Sequence, residues 1–365
     1  ALVFAGCFFD GPEAEKWLAH GMRILAREVP EQILPDGGQF ELSPMYHALA
    51  LEDMLDLVNV TRATGISSRW RAQVDGWEER IERMRAWLSA MCHPDGEISF
   101  FNDAAIGIAP SRAELDRYAA RLGFASSVEA EAGCTSLRDS GYIRLQGPRA
   151  VALLDVARVG PDYLPGHAHA DTLSFELSVD GRRVLVNSGT SVYGEGPERQ
   201  RQRGTAAHNT VVVDGENSSE VWSGFRVARR ARPQNLSVSR EKDDFVVACA
   251  HDGYRRLAGR PLHRRSWRFN AGRLVVSDKV EGVHRGAEAA FHFHPDLSSS
   301  IDEEGRSGAL ISDAGVALSW RVSRGRGRLE PSTWHPEFGV SLPARRLVVA
   351  LSQGESLVEF IWARD

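Results

Sequence analysis

The spacing of apolar residues changes period near residue 140, and that change constrains the fold more than any other feature. Over the first 91 residues apolar side chains recur every three or four positions, in segments 1–9, 14–29 and 45–64, followed by a Trp/Arg-rich stretch over 70–91. This is the pattern of amphipathic helices. Asp10-Gly11-Pro12, Pro35-Asp36-Gly37-Gly38 and Gly65 mark their ends, and the short connections imply antiparallel neighbours. Residues 92–138 are mixed, with a turn at Pro94-Asp95-Gly96 and a short helix predicted over 112–122, and read as a connector. From Ser140 onward the period becomes two and β-branched residues take over. Strands are predicted at 142–145, 151–159, 173–179, 184–186, 210–213, 236–238, 245–249, 266–269, 274–280, 289–293, 316–322 and 347–351, with Asp180-Gly181 as a hairpin turn. Many strands without intervening helices argue for a sandwich. At 365 residues the chain also exceeds the size at which one core keeps growing. The expectation is an α+β, two-domain chain, helical over 1–138 and antiparallel β over 139–365.

Charge narrows the function classes. A net charge of -5 provides no global field for nucleic acid or any other polyanion, so a polyanion site has to be a local basic patch. The four cysteines, Cys7, Cys92, Cys134 and Cys249, lie far apart and lack metal-ribbon spacing, so free and mostly buried thiols are expected. No run approaches the roughly 18 consecutive apolar residues of a membrane span, and no signal peptide is visible. The chain opens on Ala-Leu-Val-Phe-Ala, inside an apolar pattern and without an initiator Met, and reads as truncated at its N-terminus.

Three segments carry residue types suited to chemistry. In the first, a Gly-rich loop at Asp36-Gly37-Gly38-Gln39-Phe40-Glu41 runs into a helix start and sets Glu41, Tyr46 and His47 near its loop-facing end. Taken alone, Tyr46 reads as a core residue and Glu41 as a first-turn charge that favours the helix dipole. The second is Gly166-His167-Ala168-His169-Ala170-Asp171, where extended backbone points both histidines the same way, toward one pocket or metal. The third is Ala207-His208-Asn209-Thr210 at a strand entrance, of interest as a partner for His169. Two basic runs, one holding Arg199, Arg201 and Arg203 and the other Arg226, Arg229, Arg230 and Arg232, are ordinary as solvated faces but suit bidentate capture of carboxylate or sulfate. Trp222 and Phe225 nearby suit stacking on sugar rings. His292 with His294, and His335, read as structural.

In this order the three segments resemble the signatures of heparinase II/III-like lyases, most strongly over 160–235 and more loosely along nearly the whole chain. The resemblance implies a partial (α/α) toroid followed by a large antiparallel β-sandwich, with a cleft between them. It implies cleavage of uronate-containing acidic polysaccharide, glycosaminoglycan-like or a bacterial polymer such as alginate, by β-elimination. Tyr46 becomes the catalytic acid, and also base, with His167 the second catalytic residue. Glu41, Arg199, Arg201, Arg203 and Arg226 fall to substrate binding. The family's further catalytic Asn or His would precede Ala1. Some members hold a structural zinc through two histidines and an aspartate; His169 and His208 match, and Asn187 stands at the aspartate position, where a neutral amide is a poor zinc ligand. A periplasmic or secreted location is expected, with no nucleic-acid partner and no membrane span.

The chemistry suits these residue types. Elimination removes the uronate C5 proton, stabilises an enolate-like carboxylate and protonates the departing C4 oxygen. A tyrosine of ordinary pKa about 10 acts as base only where its phenolate is stabilised locally. Two rivals stand beside the lyase: a noncatalytic carbohydrate-binding relative, and a metal-dependent glycan hydrolase using His167, His169, Asp171 and His208, which would leave saturated ends.

Overall fold

The structure, a computed structural model, describes residues 1–125 and 128–362. Five helices open the chain: α1 (Leu2–Phe8), α2 (Pro12–Gln32), α3 (Pro44–Ala63), α4 (Arg71–Met91) and α5 (Arg112–Arg121). Local signals explain their ends. Ser43 caps α3 by accepting the Tyr46 N–H, with Pro44 at the first helical position. Ser111 and Glu114 form a reciprocal capping box on α5. Met22, Met54, Leu55, Val58, Trp77 and Ile81 meet in the helical core.

The β part has two layers. A five-stranded antiparallel meander runs through Gly133–Leu137, Tyr142–Gln146, Ala150–Asp155, Phe175–Val179 and Arg182–Leu185. A bridge between Leu185 and Phe293 joins its edge to a four-stranded sheet. That sheet is ordered Arg326–Trp334, Leu342–Ala350, Ala287–His292, Val211–Val213. The facing layer is an eight-stranded sheet with Pro233–Glu241 at one edge and Ser298–Ile301 at the other. Phe175 and Phe291 of the first layer pack edge-on against Trp267 and Phe360 of the second, at 6.4 and 5.2 Å between ring centroids. The sandwich core therefore lies between the layers.

The five-stranded sheet is buried on both faces. Its second face carries Tyr142, Val151 and Leu153 against Trp87 and Met91 of α4. The Trp87 indole N–H donates to Ser140 Oγ at 2.8 Å. This seam holds the N-terminus of α3 over the loops at the end of the sheet.

The five helices and the strands fall where the apolar period predicts, with these differences. The strand Gly133–Leu137 lies inside the segment read as a connector; Gly-Cys-Thr-Ser-Leu is too short and polar to show alternation. The strand expected over 151–159 stops at Asp155, whose carboxylate accepts the Ala157 N–H at 2.8 Å and turns the chain. The strands Ser298–Ile301, Ser307–Ser312, Arg326–Trp334 and Glu355–Ile361 were not foreseen, being serine- or charge-rich with one wet face, nor was the short ribbon pairing Val221–Trp222 with Arg226–Val227. One basic run folds as a sixth helix, α6 (Pro197–Arg203). All four cysteines are free, Cys92 and Cys249 buried. Among the described residues no helix is long and apolar enough to cross a membrane.

Candidate functional site

The loop before α3 is pinned from several sides. Gly37 has φ +93°, and a Cβ there would meet the Arg83 carbonyl oxygen at 2.3 Å, so only glycine fits. The Asp36 carboxylate accepts the Ser140 N–H at 2.7 Å, tying the loop to the β part. His47, fully buried, accepts the Gln39 N–H at Nδ1 (3.2 Å) and donates from Nε2 to the Met84 carbonyl (2.9 Å). Burial pushes its pKa down to about 3, so the imidazole is neutral and its tautomer is fixed by these two bonds. Tyr46, one residue earlier on the first turn of α3, faces the other way, toward the loops of the β part.

There Tyr46 meets His167. Their ring centroids are 3.8 Å apart, and the Tyr46 hydroxyl shares a 2.8 Å hydrogen bond with the hydroxyl of Tyr193. Burial raises the pKa of Tyr46, and the charges of Asp103 and Glu41 add to this against the Tyr193 hydrogen bond and Arg199. Tyr193 is raised further, chiefly by burial. Both hydroxyls therefore keep their protons at rest. Glu41 lies 3.4 Å from His167 Nε2, too poorly aligned for a hydrogen bond, and burial raises its pKa.

The residue organising the site is Asp103, fully buried in the connector. Its carboxylate accepts from His167 Nδ1 (3.0 Å), His169 Nε2 (2.8 Å) and both terminal nitrogens of Arg199, one at 2.7 Å. Burial alone would raise its pKa, but the bonds from His167, His169 and Arg199 hold it far below the carboxylate range. An ionised Asp103 holds a proton on His167 Nδ1 and so turns Nε2 toward Glu41 and Tyr46. Asn102 beside it, at φ +58°, donates to the Leu42 carbonyl and accepts the His169 N–H, locking the three segments together.

His169, Asp171 and His208 form the one group of three potential metal ligands among the described residues, all buried, with ligand atoms within 4.8 Å of one another. His169 donates from Nε2 to Asp103, so its Nδ1 is a lone pair, and this lies 3.3 Å from His208 Nε2. Two nitrogens bound at zinc distances with a tetrahedral angle sit about 3.3 Å apart. Burial lowers both histidines, His208 to about 4, which favours neutral ligands. His208 Nδ1 makes no well-formed hydrogen bond, although the Gln202 backbone lies on that side. A second buried pair shows the contrast. His251 accepts the Gly253 N–H, so its other nitrogen donates to His263, which donates to Asp278, and every proton has a place. The donor set at His169 and His208 thus fits a cation. Its carboxylate is Asp171 where the sequence pointed to Asn187, whose side-chain oxygen instead accepts the Asn209 N–H at 3.2 Å.

Of the other expected site residues, Tyr46, His167 and Glu41 meet one another, whereas the arginines largely do not join them. Arg199 is fully buried on Asp103, with its guanidinium 4.9 Å from the Tyr193 ring. Arg203 is fully buried and donates to the carbonyls of Ala168, Ser223 and Arg226. Arg201 is held by Glu198 and Thr333. Arg199 and Arg203 are corrected from substrate ligands to internal struts, buried on α6, whereas Arg201 stays exposed on the same helix with its guanidinium paired to Glu198. Arg226 remains exposed, and so do the rings of Trp222 and Phe225. His292 and His335 are engaged by Ser332 and by Val340, as structural residues. Asp103 and Tyr193 were missed. Each lies in aperiodic loop sequence, and neither belongs to a motif visible along the chain.

Comparisons with known proteins agree with this geometry. Residues 1–120 match the heparinase II/III N-terminus and residues 129–363 the heparinase II/III-like C-terminal domain. A heparin-sulfate lyase of Bacteroides stercoris is 25% identical over 305 residues, covering 78% of this chain and 43% of that protein. FtsZ-localized protein C of Caulobacter vibrioides is 25% identical over 376 residues, covering 96% of this chain and 61% of that protein. A heparinase III structure superposes with a TM-score of 0.80 at 20% identity, over 99% of this chain and 58% of that one. The chain thus spans less than two thirds of the length of these relatives. With both of its halves matched in order, the chain belongs to the heparinase II/III family.

Proposed function

We propose that the protein is a polysaccharide lyase that cleaves uronate-containing acidic polysaccharide by β-elimination. The observation that carries this reading is the close Tyr46 and His167 pair, with burial keeping the proton on the Tyr46 hydroxyl and Asp103 hydrogen-bonded to His167 Nδ1. Tyr46 keeps its hydroxyl proton and serves as the acid that protonates the departing C4 oxygen. His167 Nε2, oriented by the Asp103 bond to Nδ1, receives the C5 proton. Tyr46 takes the base role as well wherever the sugar presents C5 to its side and a cationic neighbour stabilises the phenolate. The Tyr193 hydroxyl, 2.8 Å from that of Tyr46, is placed to hand on a proton after turnover. The heparin-sulfate lyase relatives favour a glycosaminoglycan-like substrate. A polymer of this kind fits a periplasmic or secreted protein.

His169, His208 and Asp171 would hold a divalent cation, zinc by its donor set. When bound, it would act structurally, clamping the His167–Asp171 strap to the strand entrance at His208. Asp103 already orients His169 for this, as outer-shell carboxylates do.

A second reading, a noncatalytic carbohydrate-binding relative, stands beside it: the match over 96% of this chain is to FtsZ-localized protein C, whose name states no lyase activity. Product mass separates the readings. Incubated with heparan sulfate, hyaluronan and alginate, a lyase yields oligosaccharides lighter by one water than hydrolytic fragments. Saturated products would overturn the elimination reading, and intact polymer across the panel with a folded protein would favour the binding role.

A further inference from the structure

Arg199 and Arg203 are buried and Arg201 is paired with Glu198, but a further group of exposed arginines lies beside the site. Two adjoining cavities, about 550 and 660 Å³, share Arg158 and Gly160 and form one groove beside the seam between the helical and β parts. The larger is lined by Arg158, Arg229, Arg230 and Arg232 with Asp162. Arg229 is paired with Glu220 and Arg230 with Asp162, which fixes both guanidinium groups. Arg158 and Arg232 are exposed, and no ion pair engages either among the described residues. Contact of Val159 and Ala168 with Val227 holds the two arginine-bearing segments side by side.

The groove has an aromatic element as well. Tyr163, 66% exposed, lines the smaller cavity. Its hydroxyl is tied to Glu31 and its ring lies edge-on to Phe40 at 6.2 Å, so the ring is held in place with its surface open. Chain neighbours link the groove to the Tyr46–His167 pair. Phe40 precedes Glu41, and Arg229 lies four residues after Phe225, whose ring lies 6.2 Å from that of His167.

We infer that this groove is an anion-binding subsite for an acidic oligosaccharide, in which Arg158 and Arg232 hold sulfate or carboxylate groups and the Tyr163 ring stacks on a sugar. Guanidinium groups suit bidentate capture of both anions, and an open, fixed aromatic face beside them suits a pyranose better than a bare polyphosphate. The protein as a whole is acidic, so the patch is a local feature. The inference rests on the lyase reading for the choice of ligand, and it extends the binding path away from Tyr46 and His167.

The test uses the intact protein carrying Tyr46→Phe, so that binding is read without turnover. Calorimetric titration with size-fractionated heparin tetrasaccharide and decasaccharide is compared with and without Arg158→Ala/Arg232→Ala, and a single-stranded DNA 10-mer serves as a polyphosphate control. The double substitution should weaken the decasaccharide by about tenfold or more, with a shallower salt dependence, and leave the tetrasaccharide within about twofold. Tyr163→Ala should weaken the decasaccharide while leaving its salt slope unchanged. An unchanged decasaccharide Kd in the folded double variant would overturn the subsite alone. DNA binding as tight as the decasaccharide's, and lost on the double substitution, would overturn it in favour of a nucleic-acid groove. Failure of both oligosaccharides to bind the parent would overturn the lyase reading together with it.

Discussion

Replacing Asp103 by asparagine isolates the electrostatic centre of the site. The carboxylate and the Arg199 guanidinium are both fully buried, and the same two oxygens receive His167 and His169. An asparagine keeps the shape but loses the charge and sets an NH₂ against groups that all donate. Breaking a buried ion pair from one side costs about 3–5 kcal/mol, because the remaining charge is left uncompensated. Two hydrogen bonds lose their charge assistance besides. The expected loss is about 4 kcal/mol, a large part of the roughly 5–15 kcal/mol that stabilises a typical domain. Arg199→Met alone leaves Asp103 with its histidines and should cost about 2–3 kcal/mol. The double variant removes both charges and should be less destabilised than Asp103→Asn alone by about 2 kcal/mol. Urea unfolding followed by tryptophan fluorescence measures all four proteins. A single-variant loss under about 1 kcal/mol, or losses that simply add in the double variant, would refute the reasoning.

Two further outcomes follow from the loop before α3. His47 is neutral in the fold, with a pKa pushed down to about 3, while in the unfolded chain it protonates near 6.5, so its contribution is full above that pH and falls as pH drops toward 3. At about 1.4 kcal/mol per pH unit, the parent should lose about 2 kcal/mol more than His47→Gln between pH 7 and pH 5; equal pH slopes in urea unfolding would exclude this. Gly37→Ala forces a Cβ into the Arg83 carbonyl at positive φ, and should cost about 2–4 kcal/mol. An unchanged melting temperature would show that the loop is not pinned there.

Periodicity made the fold legible where burial is one-sided. Helices α1 to α5 and most strands declare themselves, because one face of each meets a core. The strand Gly133–Leu137 and those at the serine- and arginine-rich edges carry too little apolar contrast to do so. For the site, the short motifs located Tyr46, His167, His169 and His208 without locating what arranges them. Asp103 lies 64 residues from His167 and 96 from Arg199 along the chain, in a turn with no period, so only the packed structure shows it as their common partner. The charge run 199–203 looks like a wetted face, yet Arg199 and Arg203 fold inward onto Asp103 and onto the carbonyls of Ala168, Ser223 and Arg226, and only Arg201 of its three arginines stays exposed. Asn187 marks a ligand position by alignment of motifs, whereas the carboxylate near both histidines is Asp171.

The central claim is that the cleft eliminates across a uronate using the Tyr46 hydroxyl. The measurement that tests it most directly is the ultraviolet absorbance of unsaturated uronate, followed in heparan sulfate incubated with the intact protein or its Tyr46→Phe variant. The account predicts rising absorbance with the parent and a rate at least about 100-fold lower with the variant, the scale of lost general acid–base catalysis. Equal rates for a folded Tyr46→Phe variant would contradict it.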